Sequence, residues 1–484
     1  MEHAASRITK NSTLALIAKA SEFAVGAITL ILATRYLGLK TFGEYAFLSV
    51  IAFTLNPVIT WGTLRILIRE ISIKKDKTSV FLSSGLVLNI LLAIVVLVIA
   101  SIIIFAFHLM SKNSIIAFYL ALLSQIIMVM TKTIDTVFIA YEKMIYSFLV
   151  TFSSRIVSII FFLMVIYYDM GIIGLFMALV AANTVGLFSA FLISTYKFVK
   201  PQWNINIRYL NYLFKESFPV AISTFMYQGY TNINVFLLKI FQDIVQISLF
   251  QAPQRIIAPL FLLPSSFMLA FVPTLSRLGS NNGSYSDLQY AYHKTMKYIL
   301  IFTLPFTICG TILAPWIVLL LFGKEFSEAS ATFQILIWTI IPLFANVLLS
   351  FILTSIREQK VLIISGIICF IANGVLGLIL VPKYGSIGAS IGSLFSYVVL
   401  FGVNFYYVSK KLEFIPLHRI ALQPFFAGSI MYLFIFLLVG KYNMPLLIIS
   451  AFAVYFGFLF LFKTFTSDEI ELFKSIIIKK RKVQ

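Results

Sequence analysis

Apolar runs of about 20 residues recur from one end of this chain to the other, and each is long enough to cross a hydrocarbon layer of about 30 Å as a helix. The runs are continuous rather than alternating, which excludes a transmembrane barrel. Inside lipid the backbone has no water to bond, so each run must close its own hydrogen bonds as an α-helix. Composition points the same way. Of the 484 residues 60% are hydrophobic and 11% charged, with a mean hydropathy of +0.99, against roughly half apolar and a quarter charged in soluble domains. Spans are expected near residues 14–33, 42–63, 80–107, 114–138, 145–167, 171–195, 217–240, 246–275, 298–321, 330–354, 361–381, 386–408, 420–440 and 445–463. The expectation is an all-α integral membrane protein of about fourteen transmembrane helices. The longest stretches between and after spans, residues 196–216, 276–297 and the tail from 464, leave no room for a soluble domain.

The net charge of +19 would suit nucleic-acid binding if it lay on one soluble face. It is instead distributed by topology. With both termini in the cytoplasm, most Lys and Arg fall on that side, in groups such as Arg65, Arg69, Lys74, Lys75 and Lys77 or Lys479, Lys480, Arg481 and Lys482. That is the positive-inside pattern of a multi-pass protein of the cytoplasmic membrane. Arg7 and Lys10 resemble the basic start of a signal peptide, but the apolar run after them contains Lys19 and Glu22 and continues to spanning length, so it reads as a retained first helix. The tail, Ser467-Asp468-Glu469 followed by Ile470, Phe473 and Ile477, reads as a capped amphipathic helix on an anionic leaflet. Trp203 to Phe214 has a similar mix and is expected to lie along the interface, linking two halves of the bundle.

Catalytic chemistry finds little to work with. Cys309 and Cys369 sit inside apolar runs, and His3, His108, His293 and His418 are far apart without ligand spacing, so neither a metal nor another cofactor is expected. No Gly-Lys-Ser/Thr phosphate loop is present. A membrane polymerase or glycosyltransferase would need charged residues gathered on a substantial outer loop, and the chain is not expected to be an enzyme.

Met170-Gly171-Ile172-Ile173-Gly174-Leu175-Phe176 resembles Tyr384-Gly385-Ser386-Ile387-Gly388-Ala389-Ser390, with glycine, isoleucine and glycine in register. Both lie on outer hairpins between the fifth and sixth spans of a six-helix unit. The alternative is chance together with the general enrichment of Gly in membrane helices. A repeat of this kind divides the chain into lobes at residues 1–200 and 201–412, with 413–484 as two further helices and the basic tail. Two such lobes enclose a central substrate path in many transporters.

Charges within spans cost about 2.5 to 3.5 kcal/mol each at mid-helix on insertion scales, and they normally face a cavity or a partner. Lys19 with Glu22, and Lys132 with Asp135, are three apart on one helix, a spacing that permits local neutralisation. Arg155 and Arg255 have no acidic residue within four positions. A guanidinium facing water suits bidentate contact with phosphate oxygens, against the alternative of pairing with a distant carboxylate or a lipid headgroup. Asn56, Tyr227, Gln228, Tyr230, Asn232, Asn234 and Asn346 add polar groups that either bond sugar hydroxyls or tie helices together. Pro219, Pro305, Pro315 and Pro342 can kink their helices.

Five pieces in order resemble the polysaccharide and oligosaccharide flippases, the O-antigen type, of the multidrug/oligosaccharidyl-lipid/polysaccharide exporter superfamily. They are Ala33-Thr34-Arg35-Tyr36-Leu37-Gly38-Leu39-Lys40-Thr41-Phe42-Gly43-Glu44-Tyr45-Ala46, Leu64 to Glu70, Leu249-Phe250-Gln251-Ala252-Pro253-Gln254-Arg255-Ile256 with Phe271 to Arg277, Leu321 to Phe326, and Leu380 to Ala389. Together the pieces cover nearly the whole chain. The family often carries an acidic residue on the seventh helix, where this chain has Asn232 and Asn234, which removes an ion-coupling carboxylate there.

The resemblance implies two six-helix lobes around a central cavity, moving a polyprenyl-diphosphate-linked oligosaccharide from the inner to the outer leaflet by alternating access. The substrate-binding candidates are Arg155, Arg255, Lys19, Lys132, Asn232 and Gln228, and the ion-coupling candidates Asp135 and Glu22. Partners would be the lipid-linked glycan, membrane lipids and a glycan polymerase or glycosyltransferases. Two other readings stay open: a drug or cation exporter of the same superfamily, and a non-transporting membrane scaffold of a polysaccharide assembly system.

Overall fold

In the computed structural model of the chain, every regular element among the described residues is helical. Those residues are 2–107, 111–200, 207–261, 285–356, 358–412 and 414–465, and the side chains at 2–20, 22, 107, 259, 261, 285–288 and 291 lie outside the description as well. Among the described residues ten helices are long and apolar enough to span a membrane. The side chains they expose are those a soluble protein would bury: on the helix Thr78–Phe107, Ile102 is 62% and Phe105 63% exposed, an apolar belt that only lipid can satisfy.

Residues Met1–Pro259, Leu321–Phe326 and Phe370–Gly392 form one compact unit. Its elements are α1 (Glu2–Thr60), α2 (Thr63–Ile73), α3 (Thr78–Phe107), α4 (Lys112–Ala140), α5 (Met144–Tyr167), α6 (Gly171–Lys197), α7 (Ile207–Phe241) and α8 (Ile244–Ile257). α1 is two helices joined at a kink at Gly38, with φ 68° and ψ 178°, so the spans expected at 14–33 and 42–63 lie on either side of one break. The spans expected at 361–381 and 386–408 likewise lie on either side of Gly385 in the helix Gln359–Lys411. α6 packs on α4 and α5, and α1 packs on α4, α5, α7 and α8.

The repeated glycine motif opens on a positive-φ glycine at both copies. Gly171 and Gly385 have φ of +61° and +53°, a region costly for any residue with a Cβ. Each turn is closed by a side chain from elsewhere in this unit: the Gly171 amide donates to Tyr36 Oη at 2.8 Å, and the Ser386 amide to Gln246 Oε1 at 2.8 Å. The second glycines are close-packing positions, where a Cβ would collide with Met170 at Gly174 and with the Leu380 carbonyl at Gly388.

α7 has 35 residues and begins at Ile207, so residues 207–214, the described part of the segment expected along the interface, form the opening turns of this long helix. Leu213, Ser217 and Ala221 are buried at four-residue spacing, one stripe along the helix face. α7 is not among the ten apolar spans because Gln228, Thr231, Asn232 and Asn234 dilute its hydropathy. The expected span at 246–275 is helical to Phe261, and its remainder lies outside the described residues, as does the tail from residue 466.

The second unit comprises Leu260–Leu320, Ser327–Cys369 and Ser393–Gln484. One cluster in it buries Tyr292, Met296, Leu348, Leu349, Ile352 and Val408. A second joins the helices Leu417–Leu438 and Met444–Leu461 to the helix Tyr285–Phe322, where Tyr455 Oη donates to the Ile301 carbonyl at 3.0 Å. Pro342 lacks the amide that would bond Trp338, and the chain tightens into a 3₁₀ turn at Ile337–Thr339 just before it.

Candidate functional site

The first unit holds two clusters of cations that differ in how they are compensated. Arg255, near the end of α8, is partly buried, and its guanidinium carbon lies 5.8 Å from the ring centre of Phe42 and 5.6 Å from that of Tyr45. Among the described residues no carboxylate is within ion-pair distance of it, and none accepts a hydrogen bond from it. The rings stand on α1 at i and i+3, on one face of the helix. Gly43 lies between them in sequence, and a Cβ there would collide with the Ile244 carbonyl of α8. Ser248 Oγ donates to the Leu39 carbonyl at 2.5 Å, so α1 and α8 are locked where the arginine meets the rings.

Arg69 is the opposite case. Its Nη2 donates to Glu70 Oε1 at 2.9 Å, Tyr212 Oη at 3.1 Å and Glu216 Oε2 at 3.2 Å. Glu70, only 4% exposed, also accepts from Lys74 Nζ at 3.3 Å and from Tyr212 Oη at 2.9 Å. This network fastens α2 to the opening turns of α7. Beside it Trp61 stacks on Phe214 at 4.8 Å and donates to the Phe214 carbonyl at 3.0 Å. Partial burial and the neighbouring Glu70 carboxylate hold the Tyr212 phenol above its ordinary range, so the hydroxyl stays a donor.

The remaining candidates are scattered through this unit. Arg155 is half-buried and engaged on α5. The serines before it face α6, with Ser153 Oγ 3.5 Å from Ser189 Oγ and Ser154 against Gly186. Lys132 and Asp135 of α4 do not close to an ion pair. Asp135 is 7% exposed, and its Oδ1 has no hydrogen-bond partner among the described residues. Gln228 and Asn232 are buried and bonded along their own helix, Asn232 Nδ2 donating to the Gln228 carbonyl at 3.0 Å. The side chains of Lys19 and Glu22 lie outside the described residues.

Several mid-span amides tie helices, the alternative the sequence left open. Asn234 Nδ2 donates to Asn373 Oδ1 at 3.0 Å and to the Ala389 carbonyl at 3.1 Å, and Asn373 Nδ2 donates to the Tyr230 carbonyl at 2.9 Å. Asn56 Nδ2 donates to Gln125 Oε1 at 3.1 Å. In the second unit Asn404 Nδ2 donates to Asn346 Oδ1 at 2.7 Å. Sequence reading passed over Gln125 and over Asn183, which donates to Ser124 Oγ at 2.8 Å, although a polar residue in an apolar run is a visible signal. Phe42 and Tyr45 belong to the motif Ala33 to Ala46, but nothing in that motif points to Arg255 as their partner.

A cavity of about 360 Å³ lies in the first unit between Ile51, Leu55, Val58, Val96, Ile99 and Phe118. Its lining is apolar and includes none of the candidate residues, so it suits a hydrocarbon chain rather than a headgroup.

A family model described as polysaccharide biosynthesis protein matches residues 8–279, and one described as MatE matches residues 219–379. No curated protein matches significantly. Among solved structures, the lipid II flippase MurJ in an inward closed conformation aligns with a TM-score of 0.74 at 19% identity, over 94% of this chain and 98% of that one. An inward-facing multidrug resistance MATE family transporter of the MOP superfamily gives 0.64 at 16% identity, over 81% and 94%. A MOP superfamily transporter from Pyrococcus furiosus gives 0.58 at 16% identity, over 84% and 95%. At such identities the likeness is one of fold.

Proposed function

We infer the function from a premise that the match over residues 8–279 establishes: the chain belongs to the polysaccharide biosynthesis protein family. Within that family and on a MOP transporter fold, it acts as a flippase. It carries a polyprenyl-diphosphate-linked oligosaccharide from the inner to the outer leaflet of the cytoplasmic membrane by alternating access. The lobes are residues 1–200 and 201–412, with 413–484 appended and both termini in the cytoplasm. The likeness to a structure named as a lipid II flippase supports a lipid-linked substrate.

The observation that carries this reading is Arg255, a guanidinium near the end of α8 held against aromatic rings and unmatched by any described carboxylate. A diphosphate must give up hydration to cross a low-dielectric layer, and arginine donors replace that hydration bidentately. Arg155 is the second contact, with Lys19, Lys132, Asn232 and Gln228 as further contacts, and Asp135 or Glu22 couples an ion. A glycan polymerase or glycosyltransferases supply and consume the lipid-linked glycan.

The test is reconstitution with a fluorescent polyprenyl-diphosphate sugar. Protein-dependent exposure of the label to an external quencher is expected from the unaltered chain, and none from the Arg155→Ala/Arg255→Ala double variant inserted to the same level. Full activity of that variant rejects the assignment. The MatE match over residues 219–379 favours a second reading, a drug or cation exporter. In the same assay an exporter would leave the lipid label protected.

A further inference from the structure

We propose that Phe42 and Tyr45 are positioning residues for Arg255, an aromatic clamp that fixes its guanidinium while leaving its hydrogen-bond donors to the substrate anion. The proposal rests on the reading that Arg255 contacts the diphosphate. Arginine carries five N–H donors, and no described residue accepts from those of Arg255. A carboxylate would fix the side chain equally well, but it would occupy the donors and cancel the charge that attracts the anion. Ring faces hold a cation electrostatically and take none of its N–H groups in conventional hydrogen bonds.

The platform is rigid. Phe42 is fully buried and Tyr45 is 6% exposed, so neither ring is open to stack on a sugar. Phe42 meets Phe326 edge-on at 5.8 Å, and Tyr45 packs on Phe176 at 5.0 Å, which fixes both rings from behind. The close approach of α1 and α8 at Gly43 then sets the distance from rings to guanidinium. The lysine alternative differs in kind: an ammonium is a compact charge on a flexible stem, whereas the planar guanidinium stacks and keeps its fork oriented.

The full-length protein in lipid nanodiscs is titrated with a fluorescent polyprenyl diphosphate, with the neutral polyprenol as comparator. Arg255→Ala is expected to weaken diphosphate binding at least about tenfold, and Tyr45→Leu about three- to tenfold. Tyr45→Phe, which keeps the ring, should bind as the unaltered chain does. In the Arg255→Ala background, Tyr45→Leu should add nothing. An additive double variant overturns the clamp, as does a Tyr45→Leu variant of unchanged affinity. Should Tyr45→Leu fail to fold, Arg255→Lys decides: full affinity for the diphosphate rejects the need for a planar, ring-held group, and partial loss supports it. Equal affinity of the unaltered chain for diphosphate and polyprenol rejects the anion contact itself. A diphosphate preference undiminished by loss of the Tyr45 ring rejects the clamp alone.

Discussion

Arg69 and Arg255 lie in the same compact unit and answer the same problem, a cation near or within an apolar layer, in opposite ways. Arg69 is 48% exposed at its side chain and spends its donors on Glu70, Tyr212 and Glu216. Arg255 is more enclosed, yet it is met by two rings and by no described carboxylate. The first arrangement is what a fold needs to join two helices: every charge is matched and the cluster stays put. The second leaves binding capacity unspent, which a purely structural arginine has no reason to do. The difference separates cations that hold the molecule together from one available to a ligand.

Removing each charge in turn is the strongest way to break that comparison. Arg255→Ala should lower flipping of a polyprenyl-diphosphate sugar on the order of 100-fold, equivalent to about 2.7 kcal/mol of barrier, with thermal unfolding almost unchanged. Glu70→Gln should do the reverse. It leaves Lys74 without its carboxylate and Arg69 with Glu216 alone, and should lower stability by about 2 kcal/mol, read as a lower unfolding temperature in lipid, while transport per folded molecule persists. A Glu70→Gln protein of normal stability and abolished transport would show that the spent cluster also belongs to the substrate path, and the distinction would fail.

How much of this was legible in the sequence follows from the range of the interactions involved. Spans, breaks and polar positions are local properties. Gly38 and Gly385 were readable because a hairpin in a long apolar run needs a residue tolerant of positive φ, and the repeated Gly171 and Gly385 motifs share that requirement. That neither Arg155 nor Arg255 has an acid within four positions on its own helix was readable. What was not readable was choice of partner. Whether Asn234 faced a sugar or Asn373, and whether Arg255 faced a carboxylate or Phe42, depends on helices far apart in sequence that tertiary packing brings together. The length of α7 was hidden for a related reason: alternating basic and apolar residues do not show that residues 207–214 continue into one 35-residue helix with Leu213 and Ser217 buried.

The amide ties sharpen the comparison at a smaller scale. Asn234→Leu removes bonds to Asn373 and the Ala389 carbonyl and should cost about 0.6 to 1.7 kcal/mol of stability. Its diphosphate affinity should stay at the level of the unaltered protein, because its donors are already spent within the bundle. Loss of affinity at unchanged stability would move Asn234 to the ligand-facing class.

The smallest effect belongs to Tyr212, whose hydroxyl donates to Glu70 at the edge of the spent cluster. Tyr212→Phe should cost about 0.5 kcal/mol, since the group is partly open to water. The phenol is held above its ordinary value of about 10, so its donation to Glu70 is intact below that pH and is lost as pH climbs through the raised value. The stability difference between the unaltered chain and Tyr212→Phe should therefore be flat between about pH 6 and pH 9. It should shrink at higher pH and then change sign, because an ionised phenolate beside the Glu70 carboxylate repels where the hydroxyl had bonded. Thermal unfolding of both proteins across that range checks this. A difference that already falls between pH 6 and pH 8 would mean that another titrating group controls the cluster, and that Glu70 is not its centre.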